Sequence, residues 1–322
     1  MGGGKVETTQ SQSIPAGPSS AAVTVLLTVL WYASSLLAIT TSKMTMQAAK
    51  VPLTLCSVQF LSATLIAGGT LTLQGAPCRL LGREWRVLTG VSGTYTLGFF
   101  FTNLAFSLAH ASFVETVKAG EPITTVILAY ALLGELERAS TYASLLPVVL
   151  GVGMASSGEA GGGLAAVAAT VGSNFGFSAR AVFAKQLKRD HAGSPAAKSD
   201  VCLFFYISLT GLAALLPLAV VSEAGTLSAA LGSPGFELLR FVRVILVNGA
   251  MYTAYNQFSF MVLSRVSTAT HAVLNVCRRV CVIGVTTMVF GTPLSAVNVA
   301  GVVVAVAGMF WFTHAKAGPP RK

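Results

Sequence analysis

Six ionisable residues lie in stretches otherwise apolar enough to enter lipid. Glu115, Lys118 and Glu121 fall in "ASFVETVKAGEPITTVILAY", Arg180 in "SNFGFSARAVFAKQL", and Arg278 and Arg279 in "ATHAVLNVCRRVCVIGVTTMVF". Burying such a group in hydrocarbon costs several kcal/mol unless it is paired or hydrated, so these six positions are where chemistry is sought. Arginine donates in a planar fork that fits phosphate, and lysine supplies a mobile point charge. Adjacent residues on a helix are about 100° apart, which lets Arg278 and Arg279 face one cavity. Lys118 and the two arginines outnumber Glu115 and Glu121, and Arg180 adds a further cation. The surplus positive charge calls for an anion that comes and goes. A phosphate monoester, with about 1.5–2 negative charges and three acceptor oxygens, answers that description. The plainer alternative is internal pairing of the arginines with Glu115 or Glu121, the glutamates then serving folding. Either glutamate also lies three residues from Lys118, close enough on a helix to hold the lysine while the pocket is empty.

Other polar groups are candidates for the same pocket: Thr102 in "FFFTNLAF", Tyr255 and Asn256 in "MYTAYNQFSF", and Lys43 in "TTSK". A threonine in a membrane helix ordinarily bonds its own backbone and a tyrosine is commonly packing, so each is weak alone. Ser173, Gly176 and Arg180 recur at helical spacing and are expected to line a water-filled cavity, or else Arg180 snorkels to the membrane edge. His110 and His271 stand near span ends and read as structural. No His/Asp/Glu cluster supplies a nucleophile with its base or a metal site, so neither an enzyme nor a cofactor is expected.

The elements that position these residues follow from composition. Of 322 residues, 53% are hydrophobic and 10% charged, against about 25% charged in soluble proteins, and the mean hydropathy is +0.72. A membrane span needs about 20 mostly apolar residues. Ten candidates appear, roughly at 21–42, 52–74, 86–107, 112–134, 141–157, 162–184, 201–222, 241–263, 268–290 and 294–314. Gly120 and Pro122 should kink the fourth, because proline lacks an N–H and clashes with the preceding turn. The chain therefore reads as an all-α polytopic membrane protein: a disordered tail over 1–20, a transmembrane domain over 21–314, and a second tail over 315–322. The five cysteines show no CxxC pair and no Cys/His cluster, so no disulfide framework or zinc site is expected.

Basic residues orient the bundle. Lys5, Arg79, Arg83, Arg86, Arg138, Lys185, Lys188, Arg189, Lys198, Arg265, Lys316, Arg321 and Lys322 fall on the side of the N-terminus, whereas Lys43, Lys50, Arg240 and Arg243 fall opposite. Both termini are thus expected in the cytosol. The net charge of +10 reflects topology, since no basic stretch interleaves with aromatics as a nucleic-acid reader requires. The chain also echoes itself: "HASFVETVK" begins at His110 and "HAVLNVCRR" at His271, which sets Lys118 and Arg279 at equivalent places. Two repeats, roughly 21–157 and 162–314, would each hold five spans. The odd number inverts the second, so that spans four and nine meet at the midplane, where transporter sites commonly lie.

The runs "ASFVETVKAGEP", "NFGFSARAVFAKQ" and "YNQFSFMVLSRVSTATHAVLNVCRRV" resemble the plastidic phosphate translocators, the triose-phosphate translocator family of the drug/metabolite transporter superfamily. The resemblance implies ten helices and exchange of organic phosphates for inorganic phosphate or one another. By motif position it implies that Thr102, Lys118, Arg278 and Arg279 hold phosphate and that Tyr255 and Arg180 contact the substrate. Three departures stand out. Arg278 replaces a lysine, Val114 and Glu115 stand where Thr and His are usual, and "TTSK" replaces an Asn-Lys-Lys motif. The expectation is an obligatory antiporter of sugar or triose phosphates, monomeric in the bilayer, because closing an empty pocket would force like charges together. A nucleotide-sugar transporter of the same superfamily is the alternative. With no transit peptide in the sequence, an endomembrane such as the Golgi or an outer membrane of a complex plastid is expected.

Overall fold

The computed structural model describes residues 18–76, 78, 82–134, 136–156, 163–266, 268–292 and 295–316. Most of the expected N-terminal tail, the last six residues, and the basic residues Lys5, Arg79, Arg321 and Lys322 lie outside the described residues. The described chain is helical throughout. In order, its helices are α1 (Pro18–Ala48), α2 (Pro52–Leu73), α3 (Trp85–Leu108), α4 (Ala111–Lys118), α5 (Glu121–Leu133), α6 (Ala139–Ser156), α7 (Leu164–Asp190), the short α8 (Pro195–Lys198), α9 (Asp200–Leu231), α10 (Leu238–Leu263), α11 (Thr268–Phe290) and α12 (Ala296–Lys316). Helix is the expected outcome for apolar chain in lipid, because it satisfies every backbone polar group within its own segment. Among the described residues, five helices are long and apolar enough to cross a membrane: Ala21–Ala48, Pro52–Leu73, Asp200–Leu231, Thr270–Phe290 and Ala296–Lys316. α3, α7 and α10 are of similar length, at 24, 27 and 26 residues. α1 begins at Pro18, so the final residues assigned to a tail are helical.

The helices associate in pairs. The most extensive contacts join α6 to α12, α3 to α7, α1 to α10 and α2 to α9, while α4 packs on α11 and α5 on α7. Lipid gives no hydrophobic drive for helices to associate, so close contact relies on small residues that let backbones meet. At the α6–α12 crossing, a Cβ on Gly151 would overlap the backbone of Ala305, and one on Gly301 would overlap that of Ala155. At the α3–α7 crossing, a Cβ on Gly176 would come within 2.7 Å of the Gly98 nitrogen. Elsewhere polar side chains bind the bundle: Asn248 on α10 donates to the Ala38 carbonyl at 2.7 Å and to Ser42 at 2.8 Å on α1, and Gln59 on α2 donates to Asn248 at 2.8 Å.

One expectation is overturned. Cys78, in the connection after α2, forms a disulfide with Cys202 in the first turn of α9. The partners are 124 residues apart in sequence and meet only because α2 packs on α9. No local spacing could have announced them.

Candidate functional site

The centre of the site is a helix break. Pro122 has no N–H to give the Lys118 carbonyl, so α4 stops at Lys118. The chain turns through Ala119 and Gly120, whose N–H groups bond the Thr116 and Val117 carbonyls at 3.0 Å each. α5 then starts at Glu121. The break places the negative pole of α4 beside Lys118 and the positive pole of α5 beside Glu121, the favourable sign at each end. The expected kink is therefore a true interruption, and it changes the partners of the lysine. Neither glutamate holds it. Glu121 opens a new helix and leaves the i,i+3 register, and Glu115 turns to α11 instead.

Lys118, 9% exposed, donates to Thr102 Oγ1 on α3 at 3.1 Å, with its ammonium 4.9 Å from the centre of the Phe177 ring on α7. Thr102 Oγ1 donates to the Gly98 carbonyl at 2.9 Å and lies 2.7 Å from Ser173 Oγ. A hydroxyl has one proton, so Ser173 is the donor in that pair and Thr102 is left as acceptor to both Ser173 and Lys118. The close α3–α7 crossing is what brings these two hydroxyls together.

The two arginines are held differently. Arg279 on α11 is 6% exposed. Its Nη2 donates to Glu121 Oε2 at 2.6 Å, and its Nη1 lies 3.5 Å from Glu115 Oε2. That second pair is ionic only, since neither Nη1 nor Glu115 Oε2 has a hydrogen-bond partner among the described residues. Internal pairing, the plainer alternative, thus holds for Arg279. It does not hold for Arg278. Arg278 Nε donates to Asn275 Oδ1 at 3.1 Å, Nη1 donates to Ser35 Oγ on α1, and the guanidinium lies 6.0 Å from the centre of the Trp31 ring. No carboxylate among the described residues is within ion-pair distance of it.

Arg180 is turned inward, 5.3 Å from the centre of the Tyr95 ring, with Nε buried and unbonded among the described residues. The Tyr95 hydroxyl is 3.0 Å from that of Tyr252 and donates to Asn256 Oδ1 at 3.3 Å. The Tyr255 ring stands perpendicular to that of Tyr252 at 5.8 Å, and the charges of Arg278 and Glu115 both act on its hydroxyl. Lys118 in turn feels Glu115, Glu121, Arg278 and Arg279. Thr102, Lys118, Glu115, Glu121, Tyr255, Arg278 and Arg279 therefore form one electrostatic centre, flanked by Arg180 and Asn256. Glu121, Asn275 and Arg279 also line a cavity of about 180 Å³ between α5, α11 and α12.

Lys43 is placed apart. It is buried, and its Nζ donates to the Phe106 and Ala109 carbonyls at 2.8 and 2.6 Å, capping the end of α3. A candidate for the pocket by sequence, and one of the basic residues assigned to the side opposite the N-terminus, it is bound instead to the end of α3. His271 stacks on Trp31 at 4.8 Å and lies 3.1 Å from Ser259 Oγ, a structural role. His110 starts α4, and burial and the Lys43 charge push its imidazole below the ordinary range. Sequence reasoning missed the cradle of Arg278. Trp31 and Ser35 are four apart on α1 and so share a face, the one signal that could have marked them.

Apolar helices folded around a charged centre define a multi-pass membrane protein. The chain belongs to the Triose-phosphate Transporter family, which it matches over residues 22–313. Members of this family are transporters, not enzymes. The phosphoenolpyruvate/phosphate translocator 1, chloroplastic, of Oryza sativa subsp. japonica is 31% identical over 295 residues, 91% of this chain and 71% of that protein. Its counterpart of Arabidopsis thaliana is 30% identical, covering 92% and 72%. The triose phosphate/phosphate translocator, non-green plastid, chloroplastic, of Brassica oleracea var. botrytis is 30% identical, covering 92% and 73%. A solved crystal structure superposes with a TM-score of 0.54 over 92% of this chain and 98% of that one, at 18% identity, which speaks to fold alone.

Proposed function

We propose that this transporter is an antiporter that exchanges phosphorylated small molecules for inorganic phosphate, or for one another, by alternating access. The observation that carries the reading is Arg278, half-buried among neutral groups, with no carboxylate among the described residues within ion-pair distance. Phosphate would bridge Lys118, Arg278 and Arg279, drawing α4 and α11 together. A ligand shifts such an equilibrium only by binding one state better than the other, and the bridged state is the one phosphate favours. The names of the relatives support this substrate class and do not favour a nucleotide sugar.

The proposed architecture is ten spans in two inverted repeats, with α4 and α5 together forming the fourth. The packing supports it. Exchanging the first five spans with the last five turns the α1–α10 contact into α7–α3, and α2–α10 into α9–α3, and both counterparts are present. α2–α9, α4–α11 and α6–α12 map onto themselves. Bonds between connections also agree with ten crossings. Cys78 meets Cys202, and Lys316 Nζ lies 2.9 Å from Glu137 Oε1, on what would be the terminal side. Glu223 Oε1 accepts from the Leu53 N–H at 2.8 Å on the other. The termini share their side with most of the basic residues, which supports a cytosolic placement, in an endomembrane or a plastid membrane.

Purified protein in liposomes tests the exchange. Uptake of labelled phosphate is expected only when phosphate or a phosphate ester is loaded inside. Equal uptake into empty liposomes overturns the reading.

A further inference from the structure

Glu115 has a place in the site that phosphate binding alone does not explain. It is 2% exposed, lies on the same helix as Lys118, and directs Oε2 at Arg279 Nη1 from 3.5 Å without a hydrogen bond. Glu121 already satisfies the other terminal nitrogen of that guanidinium at 2.6 Å. Arg279 Nη1 is thus a donor left for a phosphate oxygen, and a phosphate bound there has Glu115 as its neighbour. Glu115 therefore stands beside the phosphate-binding cations, next to the organic part of any ester whose phosphate is held at Arg279.

The charge balance gives that position a consequence. Lys118, Arg278 and Arg279 stand with Glu115 and Glu121, and Arg180 flanks them beside Tyr95, so the cations outnumber the acids by two. A phosphate monoester of about −2 cancels that surplus. A substrate with an added carboxylate overshoots it, and its extra charge falls beside a like charge in a low-dielectric site, where repulsion is strong. An ionised carboxylate only accepts hydrogen bonds, so Glu115 welcomes a hydroxyl and repels a second carboxylate. Resting on the exchange reading above, we propose that Glu115 is a specificity-determining residue that selects phosphate esters with an uncharged, hydroxylated organic part and rejects phosphorylated carboxylates. Two of the relatives carry the name of such a carboxylate, phosphoenolpyruvate, so the proposal separates this chain from them.

The test uses the full chain in liposomes loaded with phosphate, and compares uptake of dihydroxyacetone phosphate, 3-phosphoglycerate, phosphoenolpyruvate and phosphate itself. Phosphate-for-phosphate exchange reports the antiport reading independently. Its absence removes that reading and, with it, the basis of this one. Where it is present, dihydroxyacetone phosphate is expected to be preferred over either 3-phosphoglycerate or phosphoenolpyruvate by about tenfold or more, in line with like-charge rejection at a binding site. Equal or reversed preference in the unaltered protein overturns the proposal without any variant. In Glu115→Gln, the ratio of 3-phosphoglycerate to dihydroxyacetone phosphate uptake should rise by about tenfold, each rate normalised to phosphate exchange by that variant. Glu115→Asp, which keeps the charge, should retain the original ratio. A neutralised variant with an unchanged ratio shows that Glu115 only balances Arg279 for folding, and this too overturns the proposal.

Discussion

The α4–α5 pair and α11, which would be counterparts in the proposed repeat, pack together and handle charge in opposite ways. The first is broken at its centre, so that Lys118 and Glu121 each sit at a helix pole of complementary sign. The second runs unbroken over 23 residues with two arginines and no acid. An intact helix has no poles at mid-length, so α11 must take its compensation from its neighbours. Arg279 takes Glu121 and Glu115, while Arg278 takes only the neutral Ser35, Asn275 and the Trp31 face. One half of the site is built to be complete in itself, and the other is built to be completed.

Arg279→Ala should break this contrast most severely. It leaves two carboxylates adjacent and unpaired, and truncating one partner of a buried charge pair costs about 2–5 kcal/mol, or on the order of a hundredfold loss of phosphate exchange. A single symmetric peak in detergent size-exclusion chromatography would separate that loss from misfolding. Pro122→Ala restores the missing N–H and invites α4 and α5 to join. Small displacements of a positioned group are costly, and exchange is expected to fall on the order of tenfold, with KM for phosphate rising, in a liposome titration. Ser173→Ala removes the hydroxyl that fixes Thr102. One hydrogen bond contributes about 1 kcal/mol, so phosphate affinity should drop about fivefold by equilibrium binding to the purified protein. Arg278→Lys should matter least. The charge stays and no carboxylate partner is lost, and exchange should remain within about twofold, given that the bonds forfeited are to neutral groups. A large loss there would show that the guanidinium fork, and not its charge, is what the phosphate needs.

Much of this was legible in the sequence because charge in lipid is costly enough to be conspicuous. The helical membrane class and the gathering of Lys118, Glu115, Glu121 and Arg279 follow from that cost, whereas Thr102 was assigned to phosphate only by the family resemblance. Partner choice was not legible. The lysine loses Glu121 because the interruption changes the direction of the chain, which helical spacing assumes is constant, and it loses Glu115 to Arg279 on α11. The Arg278 cradle is supplied by α1, some 240 positions earlier, as the separation of 243 from Ser35 records. A first span ending near residue 42 leaves Lys43 free to join the pocket, whereas α1 continues to Ala48 and carries the lysine under the end of α3.

On the proposed ten-span topology, the Cys78–Cys202 bond offers a natural reporter of the fluid that bathes the terminal face. Disulfides survive in oxidising compartments and are opened where glutathione and thioredoxin keep thiols reduced. Trapping thiols with a mass tag in freshly isolated native membranes would therefore read the orientation directly. Two additional tags after reduction, with neither accessible before, means that the ends of the chain look into an oxidising lumen. Tagging without reductant means that they look into the cytosol, and that the staple between α2 and α9 is one the cell holds open.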